Sequence, residues 1–280
     1  MIPKFKLILI LLSFIFIISC ADKEKKISKI VEVDIELQMS NAFKEGYLEL
    51  QKGDALLAAK KFNEAEILYP QSPWAAKSAL MAAYSYYSQG YYSDAIYELD
   101  RYLITYPIHK NKSYAHYLLG MSFYETIVDE KKDLRSILDS KKQFEIIIKE
   151  YPKTEFAKDA KFKINLINEI LAGKEMYLAR YYLDRSKWIP ALNRYKKVVY
   201  NYNTTIYTEE ALHRLVEINY RLGLIEESKK YANILGYNYQ SSDWYKNTYK
   251  VFNKSYGNGI KKLQKDKKKG LIKKFKGLFE

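Results

Sequence analysis

One apolar pattern returns along this chain at a nearly fixed interval, and it constrains the fold more than any other feature. Gly53, Ala58, Phe62, Ala65 and Pro70 keep the same spacing as Gly90, Ala95, Leu99, Tyr102 and Pro107, each pair 37 residues apart. Ser140, Phe144, Ile147 and Pro152 repeat it 45 residues later, Ala191, Tyr195, Val198 and Asn203 after a further 51, and Ser228, Ala232 and Leu235 after 37 more. Around Gly90, in the stretch Leu80 to Pro107, apolar residues recur at helical spacing on both sides of the glycine, so the unit reads as two amphipathic helices joined by a tight turn. Ala95 lets the two helices approach, and Pro107 ends the second because it has no N–H to continue the ladder.

A helical hairpin with this grammar resembles a tetratricopeptide repeat, whose period is about 34 residues. Five units follow, at about 40–70, 74–107, 113–152, 155–203 and 206–237. One hairpin cannot cover its own apolar face, whereas stacked hairpins share a continuous core. The expected fold is therefore all-α, a right-handed helical solenoid over residues 40–239. Two inserts explain the longer intervals. Ile127 to Arg135 contains the charged string DEKKD, expected as a solvated loop, and Glu155 to Arg185 lacks proline, which predicts one long helix or two with a bend near Gly173.

The ends differ from the middle. Lys4 and Lys6 precede the apolar run Leu7 to Ile18, too short for a bilayer span of about 20 residues but suited to an export signal over residues 1–19. Ile17-Ile18-Ser19-Cys20 resembles a bacterial lipobox, which implies a diacylglyceryl group on the Cys20 thiol and an acyl chain on its amine. Residues 20–39, polar and rich in Lys and Glu, then read as a tether. Cys20 is the only cysteine, so no internal disulfide is expected. At the other end, 11 Lys face two acidic residues between Lys250 and Glu280, a net +9 of the chain's +14. Residues 240–280 are expected to hold a C-terminal helix and this Lys-rich tail, in which Leu271, Phe275 and Leu278 make an apolar stripe. Such a tail suits anionic lipid or a plain solvated end rather than nucleic acid.

No catalytic set is visible. His109, His116 and His213 are too scattered for metal-ligand spacing, no glycine-rich phosphate loop occurs, and neither enzymatic activity, metal nor cofactor is expected. The 28 tyrosines suggest binding instead. First helices line the concave side in this repeat class, and the register set by Gly46, Tyr86 and Gly120 places Phe43, Tyr47, Leu50, Leu80, Tyr84, Tyr87, Tyr114, Tyr117, Met121 and Tyr124 there. These residues either form an aromatic groove for extended polypeptide or pack against neighbouring helices.

Several strings carry a closer resemblance: YPQSPWAAKSALMAAYSYY (69–87), YAHYLLGMSFYE (114–125), LAGKEMYLARYYLDRSKWIPALNRYKKVVYNYNTT (171–205) and GYNYQSSDWYKNTY (236–249). Together with the lipobox they are similar to the BamD family over Ala42 to Tyr249; Asn203, where the family commonly has Pro, and the Lys-rich end depart from it. The resemblance implies a non-enzymatic scaffold of the β-barrel assembly machinery, lipid-anchored on the periplasmic face of the outer membrane. It implies that later repeats hold BamA, the barrel-forming subunit, and that earlier repeats receive unfolded outer-membrane proteins. Arg194, with its neighbour Asn193, matches the family's BamA contact, although an Arg–Glu pair within the solenoid would explain the same arginine. The competing expectation is another exported repeat scaffold, linked to the cell wall or division.

Overall fold

The computed structural model describes residues 34–127, 134–240 and 242–252. The export signal, Cys20 and most of the tether, the DEKKD string, and the Lys-rich tail lie outside the described residues. Those described form 11 helices and no strand: α1 (Ile35–Lys52), α2 (Ala55–Leu68), α3 (Ala75–Ser88), α4 (Tyr92–Thr105), α5 (Lys112–Glu125), α6 (Arg135–Glu150), α7 (Glu155–Asp184), α8 (Trp188–Asn201), α9 (Thr208–Arg221), α10 (Ile225–Asn238) and α11 (Asp243–Val251). Successive pairs are antiparallel hairpins, and each hairpin packs on the next.

The turn inside each hairpin is built the same way four times. Gly53, Gly90 and Gly223 have φ of 84°, 78° and 79°, and Ser186 takes the same place with φ 56°. In each case the following N–H reaches back five residues: Asp54 to Glu49, Tyr91 to Tyr86, Lys187 to Tyr182 and Leu224 to Asn219, at 2.9 to 3.0 Å. That bond satisfies a carbonyl the helix end would leave open, and it demands the left-handed backbone that glycine adopts most cheaply. The turn between hairpins is equally regular. The carbonyls of Tyr69, Tyr106, Tyr151, Tyr202 and Tyr239 accept from the N–H three residues on, at 3.0 to 3.2 Å. A hydroxyl follows in four of the five, at Ser72, Thr154, Thr205 and Ser242; of these Thr154 and Ser242 cap the next helix through Ala157 N and Tyr245 N.

Within a hairpin the helices meet through a glycine over a ring. A Cβ at Gly46 would stand 3.0 Å from the Phe62 ring, and one at Gly120 would stand 2.9 Å from the Phe144 ring. Phe62, Leu99, Phe144 and Tyr195 are fully buried at the repeated position, each worth roughly 1.5 to 3 kcal/mol of burial.

Three elements go beyond the bare repeat. Helix α1 starts at Ile35 rather than Ser40, because the Asp34 carboxylate accepts from Glu36 N at 2.9 Å and caps an extra turn. Helix α7 runs unbroken for 30 residues through Gly173, against which the Tyr207 hydroxyl of the next hairpin packs. Helix α11 closes the stack: Thr248 and Val251 are buried on α9, Thr248 Oγ1 lies 2.8 Å from His213 Nδ1, and the Tyr245 ring covers Gly236.

Candidate polypeptide groove and partner contact

The first helices α1, α3, α5 and α7 bring the expected aromatic residues together in two groups. Tyr84, Tyr87, Tyr114 and Tyr117 are half-buried where α3, α5 and α7 meet, and the last two lean on Phe156 of α7 with ring centroids 5.4 and 5.2 Å away. The Tyr117 hydroxyl donates to Asp159 Oδ2 at 2.7 Å, which fixes its ring. Burial pushes the Tyr114 phenol up to about 12 and raises Tyr87 and Tyr117, so all three keep their protons as donors at neutral pH. Tyr124 continues the group with the Lys163 ammonium 5.1 Å from its ring. Each ring thus packs on a neighbouring helix and also keeps one edge at the surface.

The second group lies at the start of the stack. Phe43 stands edge-on to Phe62 and Trp74, both 5.2 Å away, and the Lys77 ammonium sits 4.5 Å over the Trp74 ring. Around them opens a cleft of about 520 Å³ lined by Asp34, Leu37, Met39, Phe43, Trp74 and Lys77. Its walls are apolar and its rim carries both signs, Asp34 and Glu36 beside Lys44 and Lys77, which fits an apolar or aromatic side chain without selecting the charge of the chain that bears it. Tyr47 is half exposed beyond this cleft, at 50%.

Leu80 does not line the groove. It is 5% exposed and packs with Leu99, Tyr102 and Leu119, because this turn of α3 is enclosed by α4 and α5. Met121 is likewise buried. Sequence reading missed Trp74 and Lys77, although an aromatic residue directly after Pro-Gln-Ser-Pro was the available signal.

Arg194, on α8, meets the carboxylate of Glu175 on α7 through Nη1 at 3.0 Å, and Lys197 Nζ meets the other oxygen at 2.6 Å. The Glu175 side chain is 5% exposed, whereas Arg194 and Lys197 are 38% and 41% exposed. Two cations share one buried anion, leaving a positive patch with exposed Asn193 beside it. The intramolecular pair therefore exists, and it presents part of the guanidinium outward.

The three histidines have separate partners: Tyr102 for His109, Gln143 for His116 and Thr248 for His213. Among the described residues no group of His, Cys, Asp and Glu could hold a metal, and no helix is long and apolar enough to cross a membrane.

Residues 35–235 match the family YfiO, described as outer membrane lipoprotein. The outer membrane protein assembly factor BamD of Caulobacter vibrioides is 36% identical over 234 residues, covering 84% of this chain and 76% of that protein. The protein of the same description from Rickettsia prowazekii is 37% identical over 225 residues, 80% of this chain and 89% of the relative. That from Neisseria meningitidis serogroup B is 27% identical over 226 residues, 77% and 84% of the two chains. The matched segment takes in every hairpin just described, and the chain belongs to the BamD family of outer membrane lipoproteins, YfiO.

Proposed function

We propose that this chain is a non-enzymatic scaffold of outer-membrane β-barrel assembly, tethered through lipid on Cys20 to the periplasmic face of the outer membrane. The observation that carries the reading is the identity to BamD assembly factors across nearly the whole stack. In this reading the later repeats hold a BamA-like barrel protein at Arg194 and Asn193. The earlier repeats receive unfolded outer-membrane proteins along Phe43, Tyr47, Tyr84, Tyr87, Tyr114, Tyr117 and Tyr124. A patch of two cations on one buried carboxylate suits an acidic partner, since a guanidinium with one nitrogen engaged can still pair with a second carboxylate. Tyrosine rings pinned on one side supply contact area with little further entropy to lose.

The test is a mild-detergent pull-down from native membranes with wild type beside Arg194→Ala, which leaves Lys197 on Glu175 and so keeps the fold. Recovery of a BamA-like barrel protein with wild type and at least tenfold less with the variant supports both family role and contact. Equal recovery moves the contact elsewhere. Recovery of cell-wall or division proteins and no barrel protein overturns the reading in favour of a cell-wall scaffold.

A further inference from the structure

The stack has two edges of different chemistry. At one edge lie the turns inside the hairpins, where Lys52, Gly53 and Leu56 face Gln89 and Tyr91 across a cleft of about 370 Å³. At the other lie the turns between hairpins together with the entry of α1, since Asp34 and Leu37 share a cleft with Trp74 and Lys77 at the start of α3.

That second edge carries isoleucines that are largely exposed. Ile67 and Ile104, each three residues before the proline that ends its hairpin, are 74% and 80% exposed, and Ile108 at the tip of the next turn is 97% exposed. Single exposed apolar residues are ordinary; the same register position exposed in consecutive repeats, with a third isoleucine at the turn tip, is not. Lys110 and Lys112 follow Ile108, and no acidic residue occurs between Tyr106 and Tyr114. In the third hairpin Lys149 takes the equivalent position, and Glu150 and Glu155 flank that turn. Tyr200 and Tyr237 are exposed at that position in the fourth and fifth, and Ile206 at the turn after the fourth, where Glu209 and Glu210 follow. It is the pairing of exposed isoleucines with an acid-free lysine turn that singles out the first two repeats.

We propose that this edge of the first two repeats rests on the membrane surface, with Ile104 and Ile108 at the headgroup boundary and Lys110 and Lys112 against anionic headgroups. The occupant follows from where the chain enters. Cys20 precedes Asp34 by 14 residues, which can extend at most about 50 Å, and the tether joins α1 at this same edge. An anchored chain thereby presents the isoleucine edge to the lipid first, and lysines near an anionic surface each add about fivefold to its residence there. The proposal rests on lipid anchoring at Cys20. Its consequence for the proposed function is geometric: the Phe43–Trp74 cleft opens beside the bilayer.

The full lipidated chain, whose Cys20 thiol is occupied, is reconstituted in phosphatidylethanolamine–phosphatidylglycerol vesicles containing nitroxide lipid. A polarity-sensitive fluorophore is attached at Ile108→Cys or, on the opposite edge, at Leu56→Cys. Flotation with the vesicles reports the anchor, and quenching reports the edge. The expected result is flotation of both, with at least threefold stronger quenching at 108 than at 56, reduced when Lys110 and Lys112 are both changed to Glu. Flotation with equal or no quenching at the two sites overturns the edge contact while leaving the anchor standing. Failure to float overturns the anchor and the proposal with it. A signal at 108 that changes only on adding a partner polypeptide reassigns the edge to protein and also overturns it.

Discussion

Ser186 is the only non-glycine residue with positive φ among the described residues, at the place where three other hairpins have glycine. It is exposed, and its hydroxyl makes no hydrogen bond among the described residues that a glycine would forfeit. A side chain in the left-handed region costs roughly 1 kcal/mol, which outweighs the extra unfolded-state freedom of glycine. Ser186→Gly is therefore expected to raise stability by up to about 0.5 kcal/mol in chemical denaturation; a loss would show that the turn uses the serine. Helical glycines give the opposite comparison. Replacing Gly by Ala in a helix gains about 1 kcal/mol of propensity. At Gly173 the new methyl would meet the Tyr207 hydroxyl at 3.2 Å, the far end of a partly buried side chain that can shift, so Gly173→Ala is expected to be neutral or mildly stabilising. At Gly120 it would meet the fully buried Phe144 ring at 2.9 Å and Gln143 Cβ at 3.2 Å, with nowhere to move. Gly120→Ala is expected to cost about 1 to 3 kcal/mol, and a variant as stable as wild type would mean that α5 and α6 are free to separate.

At the level of elements, the helices that follow the repeat were legible because period, small residue and ring recur in sequence. What escaped came from packing between repeats. The extra turn of α1 carries Ile35 and Leu37 exposed, so no apolar stripe announces it and only the Asp34 cap does. The groove was legible as a set of rings on first helices, but the partners that fix those rings, Phe156, Asp159 and Lys77, lie 34 to 42 residues away in the neighbouring repeat. Leu80 shares the helical phase of Tyr84 and Tyr87, yet it sits where α4 and α5 close over α3. Helix α11 shows how such packing carries a chemical consequence. His213 is buried against Trp244 and bonded to Thr248, with Glu210, Arg214 and Glu217 around it on its own helix. Burial lowers its pKa below the usual 6.5, and the attraction of Glu217 offsets this only in part. The unfolded chain then takes up the proton first, so stability present at neutral pH is lost as pH falls through about 6.5, by at most about 1.4 kcal/mol per pH unit for one proton. His109 and His116 are shifted the same way by burial. Denaturation midpoints at pH 7.5 and 5.5 should fall in wild type and fall less in His213→Gln; identical pH slopes would remove His213 from this account.

Across the whole molecule the core is not one body of uniform strength. The buried residues of the last three repeats and α11 form a single cluster that includes Ile137, Phe144, Ile167, Met176, Tyr195, Leu212 and Leu235. Those of the first repeat fall into two small clusters built largely of alanine: Met39, Ala42 and Ala65 in one, and Ala58, Ala59 and Phe62 with Ala82 of α3 in the other. In a stack where each repeat contacts only its neighbours, stability is a sum of local terms, so the alanine-lined end should open first. Phe62 is the one large fully buried side chain of that end, and truncating it to alanine costs about 3 to 5 kcal/mol. The first repeat meets the rest through α3 and through Glu66 of α2, which pairs with Arg101 of α4 and accepts from the Tyr106 hydroxyl, so that cost should fall mainly on α1 and α2. Hydrogen exchange on Phe62→Ala is expected to show protection lost over 35–68 and kept over 188–221; a uniform loss would mean that the stack unfolds as one unit. The Phe43–Trp74 end of the groove and the Arg194 patch sit on opposite sides of this divide. Arg194 and Glu175 lie in the strong cluster's helices, whereas Phe43 and Trp74 edge the weak one, so Phe62→Ala should weaken capture of unfolded polypeptide while the partner pull-down at Arg194 stays at the wild-type level.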